Sequence, residues 1–536
     1  MSCSLFPWHP ILGNGFLRLS LLLALLTAFA AGTTAATHNT QHQLFDVTTF
    51  GAVGDGHTDD GAAVERALGA AAAGAAAGAR VTVRFPSLRN AATVFAVRRP
   101  LSLNASNSYF EVQSGVTLRW LFDADLSYLD DTSPYYWPDQ EGGGGHVQLL
   151  DVGPAPNQPR LVNVTLGGGG SLDGSGFMWW PLVYHKWEYC CTDDPATRRW
   201  GPYFLTPSNI DGLRVLNLSV LNPPMITFDG PAACSDVEMG WLNISAPWQT
   251  PEAFYSHSAA FARWRRSAPA SDGNASRVGK NGTCGGSVEP NKDGTYGGGV
   301  RFPTLFNKPV GLCEAPNTDG LDPGLGSHGV WIHDIDIENG DDSIVVKPGW
   351  GPNRTDGHDC TRDVLVERVN IFRGMGANIG GMGSGCVQNI TFRDITILPS
   401  LGGIEIKTEM GADNNSFIRD VLYSNITFVN SLNDSGFPCL LIHSDYAEHG
   451  KNFSGGFYPK ISSIAYLDVD TRQGCTTPVT MRCARTRDGH DMCSDISFSG
   501  LDSSGFACEN VDGCTAANSM PDEAHCNCSV AKRMPP

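Results

Sequence analysis

The sequence predicts an all-β fold: a single-stranded, right-handed parallel β-helix, or solenoid, with a short N-terminal capping helix. After Asn209, short runs of alternating apolar residues recur, each ending in small or polar residues. These runs are too short and too rich in β-branched residues for helices. Equivalent apolar positions are 34, 26 and 31 residues apart, so loops absorb the irregularity: Val330, Val364, Ile390 and Val421. A β-sandwich also has short alternating strands and remains an alternative.

Residues 1–36 are predicted to be a signal peptide. Arg18 precedes the apolar run Leu19–Ala31, and small residues continue through Ala36. This run is shorter than the roughly 20 residues that cross a bilayer. We therefore expect secretion to the extracellular space or cell wall, without stable membrane insertion. An uncleaved anchor is the alternative, because the stretch before Arg18 is long and carries little positive charge.

Residues 37–536 are predicted to form one β-helix domain. The alanine-rich stretch Gly61–Ala79 indicates a helix, since Val64 and Leu68 are spaced four apart. A helix there would cover the N-terminal edge of the solenoid, which could otherwise pair with other chains. The segment at about 250–316 interrupts the repeat and is rich in Gly, Ser, Asn and Pro. It predicts a long loop between coils, which either shapes access to a groove or is disordered decoration.

Cysteine usage indicates an oxidising compartment. The chain has 16 cysteines, and loss of Cys3 with the signal peptide leaves an odd number, hence at least one unpaired thiol. The adjacent Cys190 and Cys191 suit a shared tetrahedral metal site poorly. We predict neither a metal nor a cofactor. Thirteen Asn-x-Ser/Thr acceptors further indicate a secreted glycoprotein with disulfide bonds.

The net charge narrows the class of partner. A formal charge of -18 and the lack of a basic stripe argue against nucleic acid, because phosphates would be repelled. An anionic polysaccharide would need locally placed cations. We expect a monomer.

Three aspartates form the most informative pattern. Asp319 stands about one β-helix turn before the adjacent Asp341 and Asp342. Residues one coil apart in a parallel β-helix stack roughly 4.8 Å from each other, so these acids should share one face. A glycosidase needs a protonated carboxyl beside the leaving oxygen and a second, ionised carboxylate. The spacing therefore predicts hydrolysis of a glycosidic bond.

Four motifs resemble the polygalacturonase family, glycoside hydrolase family 28. Two are moderately specific: FDVTTFGAVGDGHTDDGAAVERAL at Phe45–Leu68 and SLDGSGFMWW at Ser171–Trp180. Two more specific ones follow in order: NTDG at Asn317–Gly320 and GDDS at Gly340–Ser343. The resemblance covers most of the mature chain. It implies a right-handed parallel β-helix that hydrolyses a pectic polysaccharide with inversion.

The resemblance also implies residue roles. Asp341 would be the general acid, and Asp319 and Asp342 would hold and activate water. Asn317, from the same motif as Asp319, is expected to bind substrate. Mutual repulsion among the acids favours protonation of one member, so Asp341 is expected to stay protonated at mildly acidic pH.

Two further motifs of the family, GHG and RIK, are altered in this chain. GHG reads GMG, with Met375 at the histidine position, and methionine neither titrates nor donates a strong hydrogen bond. His358 is a candidate substitute, although a loop histidine without function is the simpler interpretation. RIK reads EIK, so Lys407 is kept while Glu405 replaces the arginine. Both are expected to bind substrate, and Glu405 should favour a neutral sugar unless it pairs with Lys407.

Two other functions remain open. A catalytically weak carbohydrate-binding or cell-wall protein on the same scaffold would fit Met375 and Glu405, but it has no evident need for all three acids. A polysaccharide lyase or epimerase would need a base for the C5 proton and a way to neutralise the uronate, for which Ca²⁺ in the acidic groove is one candidate. Galacturonan and rhamnogalacturonan are the leading substrates of the predicted hydrolase.

Overall fold

Strands with alternating burial cover most of the chain that the structure describes. The computed structural model describes residues 41–88, 92–123, 147–180, 201–247, 249, 315–351, 353, 357–400, 402–411, 413–429, 438–446, 457–472, 479–486, 488–501, 506–516 and 528–530. Residues 1–36 and 251–314, which carry the predicted signal peptide and most of the predicted loop insertion, lie outside this set. Those two predictions therefore remain predictions.

The described residues of the N-terminal half form one α-helix and thirteen strands. They are β1 (His42–Asp46), β2 (Asp55–Asp59), α1 (Gly61–Ala76), β3 (Arg80–Phe85), β4 (Thr93–Val97), β5 (Leu101–Leu103), β6 (Ser108–Val112), β7 (Val116–Trp120), β8 (Gln148–Val152), β9 (Leu161–Gly167), β10 (Ser171–Asp173), β11 (Tyr203–Pro207), β12 (Ile210–Leu221) and β13 (Ser235–Ser245).

The C-terminal half continues with alternating long and short strands. They are β14 (His328–Glu338), β15 (Ile344–Val346), β16 (Thr361–Phe372), β17 (Ala377–Met382), β18 (Cys386–Ile397), β19 (Ile404–Thr408), β20 (Phe417–Phe428), β21 (Leu440–His443), β22 (Lys460–Asp470), β23 (Val479–Arg482), β24 (Cys493–Ser499), β25 (Phe506–Glu509), β26 (Val511–Ala516) and β27 (Cys528–Val530).

The long strands stack in register. Val330 pairs with Val364, Val364 with Ile390, and Ile390 with Val421, as the repeat predicts. All four side chains are buried, and burying one such side chain contributes roughly 1.5–3 kcal/mol. Every pairing between the named strands is parallel. The predicted parallel β-helix is thus confirmed, and the antiparallel β-sandwich alternative is wrong.

Each long strand bends at residues with left-handed backbone geometry. One column of bends comprises Asp334, Arg368, Asp394, Asn425 and Asp468, all with φ between 52 and 57°. These positions are skipped in the register between neighbouring long strands. Asn and Asp tolerate this geometry better than most residues and fill four of these five positions, with Arg368 as the exception.

The predicted helix is present as α1, which ends at Ala76 rather than Ala79. Val64 and Leu68 are buried against the core, and the helix packs on β1 and β3 at the start of the solenoid. The earlier end follows from Gly78, whose φ of 87° is left-handed. That geometry stops an α-helix.

The short strands form the face that carries the candidate site. The strands β15, β17, β19, β21, β23 and β25 pair in parallel in that order, and we call them the short-strand sheet. Isolated bridges extend the sheet towards the N-terminus through Leu321, which pairs with Ile344 on one side and Phe228 on the other. Asp319 and the aspartate pair therefore lie on adjacent coils of one face, and the EIK motif on β19 lies two coils beyond the pair, after β17.

The cysteines fit the predicted oxidising compartment. Disulfides join Cys360 to Cys386 and Cys483 to Cys493. Cys234 is a buried free thiol, in agreement with the odd cysteine count, and burial raises its pKa to about 11. Among the described residues, no helix has the length and apolar character needed to cross a bilayer.

Candidate active site

The three predicted acids lie together. One carboxylate oxygen from each of Asp319, Asp341 and Asp342 lies within 4.8 Å of the others. The coils approach closely here, because a Cβ on Gly320 would lie 2.2 Å from the Ser343 carbonyl oxygen. The glycine of the NTDG motif is therefore required for the backbone contact that brings the first acid to the other two.

The acids differ in exposure. Asp319 and Asp342 are buried, whereas Asp341 is partly exposed and is the more accessible to a ligand in the groove. Asn317 Nδ2 donates a hydrogen bond of 3.3 Å to Asp341 Oδ2, and the Asp342 amide donates one of 2.8 Å to Asp341 Oδ1. The Asn317 side chain thus orients an acid, and its Oδ1 is buried without a hydrogen-bond partner.

Asp342 is held in a buried ion pair. Lys407 Nζ donates to both of its carboxylate oxygens, at 2.7 and 3.0 Å. Asn378, on the strand between them, donates its side-chain amide to Asp342 Oδ1 and accepts a hydrogen bond of 2.8 Å from the Glu405 amide. The lysine predicted to bind substrate therefore already engages an acid of the cluster.

Asn339 fixes the turn that carries the aspartate pair. Its Nδ2 donates to the carbonyl oxygens of Thr318, Asp341 and Asp342 at 2.9–3.0 Å. Its Oδ1 accepts a hydrogen bond of 2.8 Å from Ser343 Oγ. One fully buried side chain thereby ties the aspartate-pair turn to the preceding coil, so that the acids are placed before any ligand binds.

Burial and mutual repulsion perturb two of the acids. Burial, then the charges of Asp319 and Asp342, raise the pKa of Asp341 well above its usual value. Burial and the neighbouring Asp322 likewise raise the pKa of Asp319. Both shifts favour a protonated carboxyl in the cluster. The Asp342 carboxylate, in contrast, faces the Lys407 ammonium.

A second ion pair, with a buried aspartate, lies on the N-terminal side of the acids. Asp322 is 3% exposed, and neither of its carboxylate oxygens has a hydrogen-bond partner. Lys347 Nζ lies 3.6 Å from Asp322 Oδ2. Burial raises the pKa of Asp322 to about 7, although Lys347 opposes the shift. The Lys347 pKa is itself raised by Asp322 and Asp319 against the effect of burial.

The altered motifs line the other side. Met375 occupies the histidine position next to the acids, since its amide donates to the Asp341 carbonyl oxygen. His358 is exposed in its own loop, where its amide bonds Asn353. Glu405 Oε2 lies 3.5 Å from Lys407 Nζ, so the pairing that would weaken repulsion of a uronate is present, but the same ammonium lies closer to Asp342, at 2.7 Å.

A charge network continues onto the next coils. His443 follows Lys407 in the sheet register, and Arg482 follows His443. His443 Nε2 lies 2.8 Å from Glu405 Oε1, and its Nδ1 lies 3.1 Å from Asp445 Oδ1. Arg482 Nη2 also contacts Asp445 Oδ1, at 3.1 Å. Acidic and basic side chains thus alternate from Asp342 outward.

Several of these residues were not predicted. Asn339 and Asn378 lie within or beside recognised motifs, but an asparagine gives no charge signal of its own. His443 and Arg482 could have been found by extending the outward positions of the EIK strand to the following strands, as the register shows. The Asp322–Lys347 pair required the fold, because its members lie on different coils.

The acid cluster also has the donor types of a cation site. Lys407 already supplies a positive charge within 3.0 Å of Asp342. Because that ammonium group occupies both oxygens of one carboxylate, the cluster is better suited to proton transfer than to holding a divalent ion.

The fold and the acid cluster define a class: a parallel β-helix that carries three clustered carboxylates on one face. The solved exopolygalacturonase of Thermotoga maritima aligns with a TM-score of 0.53 and 17% identity over 87% of each chain. The endo-xylogalacturonan hydrolase of Aspergillus tubingensis aligns with a TM-score of 0.51 and 19% identity, over 91% of this chain and 99% of the other. At these identities the likeness shows the fold alone.

Sequence comparison confirms the family resemblance. Residues 307–526 match the family model described as Glycosyl hydrolases family 28. Endopolygalacturonase I of Aspergillus niger is 30% identical over 203 residues, which cover 36% of this chain and 49% of the relative. The polygalacturonase of Medicago sativa is 25% identical over 37% of this chain and 45% of the relative. The matches thus span less than half of the length of these curated relatives.

Proposed function

We propose that this protein is a secreted glycoside hydrolase of the polygalacturonase type, which cleaves α-glycosidic bonds in a pectic polysaccharide. The observation that carries the proposal is the triad of Asp319, Asp341 and Asp342, with one oxygen of each within 4.8 Å of the others. The family match over residues 307–526 and the polygalacturonase relatives support the same activity. Secretion rests on the predicted signal peptide at residues 1–36.

Asp341 acts as the general acid. It is the accessible member of the triad, and its raised pKa keeps a proton available for the leaving oxygen. Asn317 orients its carboxyl through the 3.3 Å hydrogen bond to Oδ2. Asp319 and Asp342 hold the attacking water, and Lys407 balances the charge of the Asp342 carboxylate.

Inversion is the proposed stereochemical outcome. The nearest carboxylate oxygens lie closer than the roughly 6.5–9.5 Å carboxyl separation of most inverting enzymes, and by distance alone would suit retention. Retention, however, requires a carboxylate free to attack the sugar. Both oxygens of Asp342 are bonded to Lys407, and its side chain is 4% exposed. Such a carboxylate suits holding water better than forming a glycosyl ester.

The direct test is release of reducing ends by the purified protein on polygalacturonan and on rhamnogalacturonan. Asp341→Asn should lower kcat by about 10²–10⁴-fold, because the acid is lost while the shape is kept. Asp336→Asn is the matched control, since Asp336 is exposed on β14 and should retain activity. Proton NMR of the first product distinguishes inversion from retention.

The alternatives give different results. A folded wild-type protein that binds polymer without releasing reducing ends would support the carbohydrate-binding alternative, which Met375 and Glu405 motivate. Products that absorb ultraviolet light through a new double bond would indicate a lyase. Equal activity of wild type and Asp341→Asn would contradict the assigned acid.

A further inference from the structure

Glu405 changes the electrostatics of the groove beside the acids. Its Oε2 lies 3.5 Å from Lys407 Nζ and its Oε1 lies 2.8 Å from His443 Nε2. Its side chain is 19% exposed, so it is partly accessible from solvent. Burial raises the pKa of Glu405, but His443 and Lys407 outweigh this and leave the pKa below its usual value. The group is therefore a carboxylate at the mildly acidic pH at which Asp341 would act.

The cations bordering the acids are already paired. Lys407 contacts two carboxylates, those of Asp342 and Glu405. On the N-terminal side of the acids Lys347 pairs with Asp322, and Arg482, two strands beyond Lys407, pairs with Asp445. A uronate at this position would face the Glu405 carboxylate. The Lys407 ammonium, which could otherwise pair with the uronate, already contacts two carboxylates. Like charges this close destabilise binding substantially in a partly buried groove.

An aromatic ring completes the same region. Tyr446 is 37% exposed, and its ring centroid lies 5.0 Å from Lys407 Nζ and 5.8 Å from the His443 ring. Tyrosine offers a broad apolar face with a polar tip, which suits the C–H face of a sugar ring. A carboxylate such as Glu405 accepts hydrogen bonds from hydroxyl groups. The combination provides stacking and hydroxyl recognition.

We propose that Glu405, His443 and Tyr446 form a subsite that takes a neutral sugar and disfavours a free uronate, with Glu405 as the specificity-determining residue. The inference rests on the proposed function, since it describes the groove of the same acids. It specifies the substrate class as a pectic chain with an uncharged residue at this subsite: either an esterified uronate or a neutral sugar that alternates with uronate.

The test compares polygalacturonan with its methyl ester, which has the same backbone and linkage but no charge. An alternating galacturonate–rhamnose polymer serves as a third substrate. We expect kcat/KM to be at least about tenfold higher on the methyl ester or the alternating polymer than on polygalacturonan, because the repulsion is only partly screened by salt. A wild-type preference for polygalacturonan over both would overturn the proposal.

Two substitutions assign any preference to this residue. Glu405→Gln keeps size and removes charge, and it should raise kcat/KM on polygalacturonan by about three- to tenfold relative to kcat/KM on the methyl ester. Glu405→Arg should shift the ratio further in the same direction. The control is Glu65→Gln on α1, which makes the same change in net charge and should leave the ratio unaltered. An unchanged ratio in a folded Glu405→Gln protein would overturn the assignment.

A binding measurement separates this inference from the proposed activity. Asp341→Asn is titrated by calorimetry with uncharged and charged oligomers of equal length. Tighter binding of the uncharged oligomer supports the subsite even if no polymer is cleaved, a result that would refute only the hydrolase. Cleavage with tighter binding of the charged oligomer would refute only the subsite. Binding of neither oligomer, together with no cleavage, would overturn both.

Discussion

Removal of the Lys407 charge tests how the site is held together. The side chains of Lys407 and Asp342 are 5% and 4% exposed, and they meet at 2.7 Å. Unit charges about 3 Å apart attract by roughly 5–6 kcal/mol at an effective dielectric constant of about 20. Loss of one partner leaves a buried carboxylate uncompensated, which typically costs about 3–5 kcal/mol. We therefore expect Lys407→Met to lower the free energy of unfolding by about 3–5 kcal/mol.

The assay is urea denaturation followed by tryptophan fluorescence at pH 7. Arg472→Met is the control, because Arg472 is 64% exposed in its pair with Asp470 and should cost no more than about 1 kcal/mol. The double variant Asp342→Asn/Lys407→Met should recover at least about 1 kcal/mol relative to the sum of the single variants. A loss below about 1 kcal/mol for Lys407→Met, equal to the control, would refute the view that this pair is a buried, coupled unit.

Two further stability predictions follow from buried contacts. Because the pKa of Asp322 is raised from 3.8 to about 7, the native state binds the extra proton and loses stability as pH rises from about 4 to 7. The free energy of unfolding of Asp322→Asn should therefore rise relative to that of wild type by up to about 4 kcal/mol between pH 4 and 8. A pH-independent difference in denaturation midpoints would contradict this. Gly69→Ala, with nothing within 4 Å of its new Cβ, should stabilise α1 by about 0.5–1 kcal/mol, whereas Gly320→Ala should cost about 1–3 kcal/mol against Ser343. If this contact argument were wrong, the melting temperatures of the two variants would shift in the same direction.

The architecture could be predicted from the sequence because every coil of the solenoid must meet the same requirement. Each coil buries an aliphatic residue at the same position, and the register joins Val330 to Val364 and then to Ile390 as the spacing predicts. The end of α1 was misjudged by three residues, because alanine continues beyond Ala76 while the backbone turns at Gly78. A run of good helix formers does not report where tertiary packing ends a helix.

The acids were also predictable, but their partners were not. Asp319, Asp341 and Asp342 converge because neighbouring coils stack at a regular distance. The ion pair between Asp342 and Lys407 joins residues 65 positions apart and depends on the lysine reaching across the strand that carries Asn378. Side-chain reach of this kind does not follow from a spacing rule. Contacts between neighbouring coils must be known first.

Lys407 links the acid cluster to Glu405, the residue proposed to determine specificity. This ammonium neutralises Asp342 at 2.7 Å and also contacts Glu405 at 3.5 Å. If the Glu405 charge is removed, the lysine keeps only its contact with the acid cluster, and the Asp342 ion pair should persist. An arginine at this position would instead place a second cation beside Lys407, where it would compete with the lysine for the Asp342 carboxylate. Glu405→Gln therefore isolates the effect on specificity, whereas Glu405→Arg also perturbs the acids, and the two variants should differ more in kcat than in KM.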